Sequence, residues 1–561
     1  MGFTDMRPAL SLAAPPIAVL RMWALVQPMI VVSLTGTAMG EIYCAEGRDS
    51  AHFLHMPRSA ASRLKNDRTF DADDVVPDPW KRTMTQNPVR THRSATLKAG
   101  GWRAQLVWWV LILIVANTLV DTVIVAPLLV LPQMAEFFGT DQSAWLNASA
   151  LLAGAMWAPL LGKSADVYGK RRILVLALLG GGVGALICLI APNIGVFLLG
   201  RVIQGAAVGS VFLTVVYIRQ MFPAGVGMTS VGIVTSGSAI LGIASPFLFE
   251  AVVDAFGFRA VFVVSAALAL SAAIAVRAFL PESPVHARGR VDVAGAVLLG
   301  LGLAGVLAYI SLAPAAGWTD VGLLVLLLCG VVLLAAWVFT ALKTAEPVVD
   351  LRMLTRPVVA TLLVVVLGAG AYQALLQLVG IIGQTPPEQG LGYGLAGESS
   401  SLGLMFALPA LGAATGGVFA GWLGGRIGPA RTLAGGVFIG IVASIGLMLS
   451  TSSFLPAAIC AGFLGLTAGA VVTSGFNLST TLVSEEKQGV VASLVQVMLG
   501  VGAVVLNIVG GSVLSATATP GSSIPSAQGV NLYIVVMLAA FIVAAVIAVW
   551  LSRRVRRASA A

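Results

Sequence analysis

Fourteen apolar runs, the first near 104–131 and the last near 531–551, constrain this chain more than any other feature. Each is about 20 residues long, which at about 1.5 Å per residue matches the hydrocarbon core of a bilayer. The runs are continuous rather than alternating, so helices are expected and a β-barrel is not. Composition agrees: the chain is 58% hydrophobic and 10% charged, with a mean hydropathy of +0.95. Its 63 glycines suit membrane helices, where small residues let backbones approach closely. The expected fold class is therefore an all-α polytopic membrane protein.

Charge then orients the spans. With the start of the first span inside the cell, the inner loops and flanks collect Lys163, Lys170, Arg171, Arg172, Lys343, Arg426, Arg431, Lys487 and Arg553 among many others. The outer loops hold Arg259, and Arg201 alone lies within a span. This asymmetry predicts an even number of helices, both termini in the cytoplasm and insertion in the cell's inner (plasma) membrane. It also accounts for the net charge of +9 without a nucleic-acid partner, which would need a basic face interleaved with aromatic residues. Cys44, Cys188, Cys329 and Cys460 are scattered and read as packing or lipid-side residues. No metal-ligand cluster, HExxH, GxSxG or complete phosphate-binding loop is present, so neither an enzyme nor a cofactor is expected.

The loop Gly162–Arg172 concentrates four cations, Asp166 and two glycines seven apart, Gly162 and Gly169. Gly421 to Arg431 repeats the glycine spacing at Gly421 and Gly428, with Gly425 where the first copy has Asp166. Two copies of one loop predict two related bundles. The expected division is an N-terminal six-helix bundle over 101–285, an inserted two-helix linker over 286–345, a C-terminal six-helix bundle over 346–552 and a basic cytoplasmic tail over 553–561. Residues 1–100 carry prolines within their apolar part and then an acidic polar stretch. They are expected to be a disordered extension or an artefact of the start site, with Met84 as an alternative start.

Gly162-x-x-x-Asp166-x-x-Gly169-Lys170-Arg171-Arg172 resembles the loop signature of the major facilitator superfamily, and Arg201-Val-Ile-Gln204-Gly205 is similar to the RxxQG of its fourth helix. Fourteen spans and Asp121-Thr-Val-Ile-Val125 resemble its drug:proton antiporter branch. The resemblance implies the major facilitator fold, two six-helix bundles plus a two-helix insert. It also implies proton-coupled export of hydrophobic or amphipathic compounds by alternating access. The fifth span departs from the exporters' pattern, with Ser245, Phe249 and Glu250 where they carry glycines around the retained Pro246. A permease for a polar metabolite therefore stays as an alternative, as does a non-transporting sensor or scaffold.

Ionisable groups inside a span are costly and usually functional. Asp121 and Arg201 are the expected proton-coupling residues, paired across the bundle on grounds of depth, with Gln204 completing the hydrogen bonds of Arg201. Gly162, Asp166, Gly169, Lys170 and Arg171 are the expected conformational latch, with Asp166 holding one bundle to the other on the cytoplasmic side. Asn117, Gln204, Tyr372, Gln373, Gln377, Gln496 and Asn507 are the expected substrate cavity, since several recur at helical spacing. The partners expected are a small-molecule substrate, protons and the lipid bilayer, with the protein acting as a monomer.

Overall fold

The computed structural model describes residues 101–560, except 125, 141–142, 386–391, 396–401 and 519–524. The expectations for residues 1–100 lie outside the described residues. In hydrocarbon every backbone N–H and C=O must be paired within the chain, and these apolar runs meet that demand as helices. Among the described residues, fourteen long helices follow one another. In the first half these are α1 (Ala104–Ile124), α2 (Ser143–Tyr168), α3 (Lys170–Ile190), α4 (Ile194–Met221), α5 (Ala224–Phe256) and α6 (Ala260–Phe279). Next come α7 (Val293–Ala316) and α8 (Val321–Lys343). The second half holds α9 (Arg356–Gln384), α10 (Leu402–Ile427), α11 (Pro429–Met448), α12 (Phe454–Thr481), α13 (Gln488–Ala516) and α14 (Ala527–Ala560). Twelve of these are both long and apolar enough to cross a membrane, and α2 and α5, with 26 and 33 residues, are long enough as well.

The first run is not one helix. Helix α1 is described to Ile124; Ala126–Leu129 and Leu131–Phe138 follow as short helices, parted at Val130, which has φ −110 and ψ 11. Pro127 has no N–H to give the carbonyl of Val123, so that carbonyl lacks its helical donor. At the other end of the chain, α14 continues through the basic segment to Ala560, which makes that segment a helical extension.

Helices α1–α6 contribute Leu113, Leu119, Leu213 and Val216, all fully buried, to a core that continues into α7, α9, α12 and α13. Helices α9–α14 enclose a second, around Leu375, Leu378, Leu433 and Phe541. Helices α7 and α8 pack on each other, and α7 also touches α2 and α13. The far side of α8 is exposed at Leu328, Val332 and Leu342, as suits a helix that faces lipid. The two bundles meet along α2 with α13 and along α5 with α10. Thr235 Oγ1 and Thr473 Oγ1 lie 3.0 Å apart across this boundary, and Asn477 Nδ2 donates to the Met228 carbonyl at 3.3 Å.

Candidate functional site: a clasp, a buried network and a cavity

Between α2 and α3 the backbone passes through Gly169 at φ +106, a conformation that a Cβ would strain. The second loop does the same at Gly428, φ +93. This sharp turn leaves Asp166 in the last turn of α2, 1% exposed and aimed at the start of α13. Its Oδ1 accepts the Gly489 N–H at 2.9 Å and its Oδ2 the Val490 N–H at 3.0 Å. The first N–H groups of a helix have no partner within it and carry the positive end of its dipole, so a carboxylate is the group that best completes them. Gly162, one turn earlier, makes the approach feasible: a Cβ there would sit 2.7 Å from the Gly489 carbonyl oxygen. Gln220 Nε2, at the end of α4, donates to the Glu485 carbonyl at 2.9 Å, a second tie to the segment that starts α13.

Of the five residues expected to latch the bundles, Gly162 and Asp166 reach across, whereas Lys170 and Arg171 turn back to their own bundle. Lys170 Nζ lies 3.3 Å from Asp166 Oδ1 and donates to the Val285 carbonyl at 3.1 Å. Arg171 donates from its guanidinium to the Leu280 carbonyl at 2.9 Å and from its backbone to Glu282 Oε1 at 2.9 Å. A Cβ on Gly169 would lie 2.8 Å from that same Glu282 carboxyl group. Glu282 is not among the expected latch residues, although an acid between two prolines in the loop after the sixth span, with four cations elsewhere on the same side, was the available signal. In the second loop Gly421 packs against the Met228 carbonyl of α5, whereas Gly425 is exposed and supplies no acid. Beside the clasp, Lys487 Nζ lies 2.8 Å from Asp350 Oδ2. Partial burial works to raise the Asp350 pKa, but the hydrogen bonds from Lys487 and the Arg352 N–H prevail and hold it below the usual carboxylate range.

The expected pair of Asp121 and Arg201 does not form. Arg201 is fully buried and donates from Nη1 to the Val123 carbonyl at 2.9 Å, from Nε to the Leu146 carbonyl at 3.2 Å and from Nη1 to Gln204 Oε1 at 2.7 Å. The Val123 carbonyl is the one that Pro127 leaves without its helical donor, and Arg201 supplies a donor in its place. Gln204 Nε2 donates to Ser265 Oγ at 3.1 Å, and Thr122 Oγ1 donates to the same hydroxyl at 3.1 Å. This network ties α1, α2, α4 and α6. Asn117 is buried as well: Nδ2 donates to the Val234 carbonyl at 3.2 Å and Oδ1 accepts from Thr214 at 3.3 Å. Gln204 and Asn117 are thus fasteners between helices and do not line a cavity, because their polar atoms are already taken up inside the first bundle. Asp121 is partly exposed, and its Oδ2 is buried without a hydrogen-bond partner.

Arg201→Lys has a single nitrogen where Nε and Nη1 serve separate acceptors, so it should lose at least the Leu146 contact. Hydrogen bonds to charged groups contribute about 1.5–3 kcal/mol each, and a buried acceptor left open costs about 1–3 kcal/mol. A loss of about 2 kcal/mol or more in thermal or denaturant unfolding of the solubilised protein is expected. Wild-type stability in that variant would refute the claim that Arg201 ties these helices together.

A cavity of about 450 Å3 opens in the second bundle, between α9, α10 and α13. Gln373, Gln377, Gln384, Phe406 and Asn507 are among the residues that line it. Tyr372 instead packs against the core of that bundle, and Gln496 lies outside the cavity wall with its Oε1 buried and unpartnered. Gln384 ends α9 and Phe406 stands in the first turns of α10, so the cavity lies in the half of the molecule away from the clasp.

Comparison with known proteins agrees with this architecture. The multidrug resistance protein B homolog of Mycobacterium tuberculosis is 30% identical over 320 residues, 55% of this chain and 57% of that protein. The multidrug resistance protein Stp of the same organism is 26% identical over 399 residues, 69% of this chain and 72% of that protein. The first of these alignments therefore spans only a little over half of either chain. Among solved structures, the transporter FucP in its outward conformation aligns with a TM-score of 0.53 at 14% identity, over 79% of this chain and 99% of that one. The human organic anion transporter MFSD10 aligns with a TM-score of 0.51 at 16% identity, over 80% of this chain and 100% of that one. At such identities these likenesses show the fold. The sequence model of the Major Facilitator Superfamily matches residues 110–397 and 379–561, and with two six-helix bundles, a two-helix insert and the paired glycine loops in place, the chain belongs to that superfamily.

Proposed function

We propose that the protein exports hydrophobic or amphipathic compounds against their gradient, driven by protons that enter through Asp121. One observation carries the reading: the bundles are bonded together at the basic end, around Asp166, while the amide-lined cavity and the unpartnered Asp121 carboxylate lie in the other half. That is the asymmetry of an alternating-access carrier caught on one side of its cycle. The bias of Lys and Arg toward the clasp end puts that end in the cytoplasm of the cell's inner membrane, and with it both termini. The cavity then faces outward, and protons reach Asp121 from outside. The first bundle would extend over 101–285, the insert over 286–345 and the second bundle over 346–552. A single copy holds the clasp, the acid and the cavity, so a monomer is the working unit. Relatives that carry multidrug resistance names support a drug-like cargo.

Within this cycle Asp166 is the latch and Glu282 its foundation. Glu282 fixes the start of α3 through the Arg171 and Arg172 N–H groups, and Lys170 Nζ stands 3.3 Å from Asp166 Oδ1. Opening the cytoplasmic side requires these bonds to break. Everted membrane vesicles test the whole reading. With a pH gradient established, adding a lipophilic substrate should release protons from the lumen; substrate movement with no proton release would mark a facilitator and refute the coupling.

A further inference from the structure

We infer that the cavity of the second bundle selects cargo by accepting hydrogen bonds, so that its ligands are lipophilic molecules carrying N–H or O–H donors. This rests on the transport reading above and names the class of compound that the cavity holds. Gln373, Gln377 and Gln384 fall at i, i+4 and i+11 of α9, one face of the helix, with Gly380 between them. Across from them stand Asn507 of α13 and the ring of Phe406. No charged side chain belongs to this wall among the described residues.

Orientation of the amides sets the polarity. Asn507 Nδ2 donates to the Ala503 carbonyl of its own helix at 2.7 Å, and Gln384 Nε2 donates to the Gly380 carbonyl at 3.1 Å. Each bond would be lost if the amide flipped, because a carbonyl cannot donate to a carbonyl. The Asn507 oxygen is therefore fixed as the free end, and its Oδ1 is buried with no hydrogen-bond partner. A buried acceptor held open in this way favours a ligand that brings the donor and penalises one that does not. Phe406 offers an aromatic face for the apolar body of the same molecule.

Equilibrium binding to the purified protein in lipid nanodiscs, with no gradient, tests this with two probes. Ethidium is an aromatic cation bearing two amino donors, and tetraphenylphosphonium is a lipophilic cation bearing none. Asn507→Leu should weaken ethidium binding roughly tenfold, as expected for one lost ligand hydrogen bond, and leave tetraphenylphosphonium within about twofold. Gln377 is exposed in the cavity, so Gln377→Leu leaves the fold intact and should show the same selectivity at about threefold. The inference is overturned if ethidium does not bind the wild type, if neither variant changes its affinity, or if both probes weaken together. Loss of selectivity alongside proton release in everted vesicles would remove the ligand class and keep the coupling; selective binding without proton release would do the reverse.

Discussion

Asp166→Asn is expected to move the balance between the two faces of the carrier by roughly 100-fold toward an open cytoplasmic side. The variant keeps the size of the side chain and removes its charge. An asparagine at this position can accept from one of the two N–H groups, but its own amide group then confronts the other donor. Charge-assisted bonds to a helix start contribute about 1.5–3 kcal/mol each. The change also leaves Lys170, which is fully buried, without its anion. Loss of about 3 kcal/mol from the closed state corresponds to the stated shift, since each 1.4 kcal/mol is about tenfold. Gly489→Val should act in the same direction by sterics alone, because a Cβ there would lie 2.7 Å from Asp166 Oδ1 and against the Gly162 carbonyl. Cysteine crosslinking or spin-label distances between the cytoplasmic ends of α2 and α13 read the balance. If both variants leave those distances unchanged, Asp166 is no latch.

The helices and their number were legible because lipid imposes one rule everywhere: long apolar runs must pair their own backbone. Glycine spacing was equally legible, since Gly169 and Gly428 mark the same left-handed turn in two places. What sequence did not disclose was which polar groups face which. Asn117 and Asp121 are four residues apart on one helix, yet Asn117 is spent on α4 and α5 while an Asp121 oxygen stays open. Depth along the helix suggested that Arg201 would meet Asp121. The competing partner was a backbone carbonyl, at Val123, whose need arises from Pro127 four residues on; Pro127 and Arg201 were both in view, but only tertiary packing brings them to one place. The latch shows the same limit. Asp166 was singled out from the loop, whereas its partners are main-chain groups of Gly489 and Val490, which carry no side-chain signal at all.

Asp121→Asn should abolish proton-driven efflux while leaving the protein folded and able to carry substrate down its gradient. An ionisable group inside a membrane helix is costly to keep charged, and it survives there by pairing, by reaching water or by taking up a proton. Arg201 is occupied by Val123, Leu146 and Gln204, so Asp121 has no ion pair with it to provide the first route. With Oδ2 buried and unpartnered and the rest of the side chain partly exposed, the carboxyl group is placed to exchange protons with the cavity side. Asparagine preserves shape and polarity but cannot carry the proton, so the coupling step is lost outright. Uphill efflux is expected to drop by at least about 100-fold, the usual size of a general acid–base contribution, and the residual flux should ignore a protonophore. Because Asp121 holds no buried partner in place, unfolding of this variant should stay within about 1 kcal/mol of wild type, unlike Arg201→Lys. The pair of results separates the two residues: a fall in stability with Asp121→Asn would make the acid structural, and full protonophore-sensitive efflux would move the proton site elsewhere.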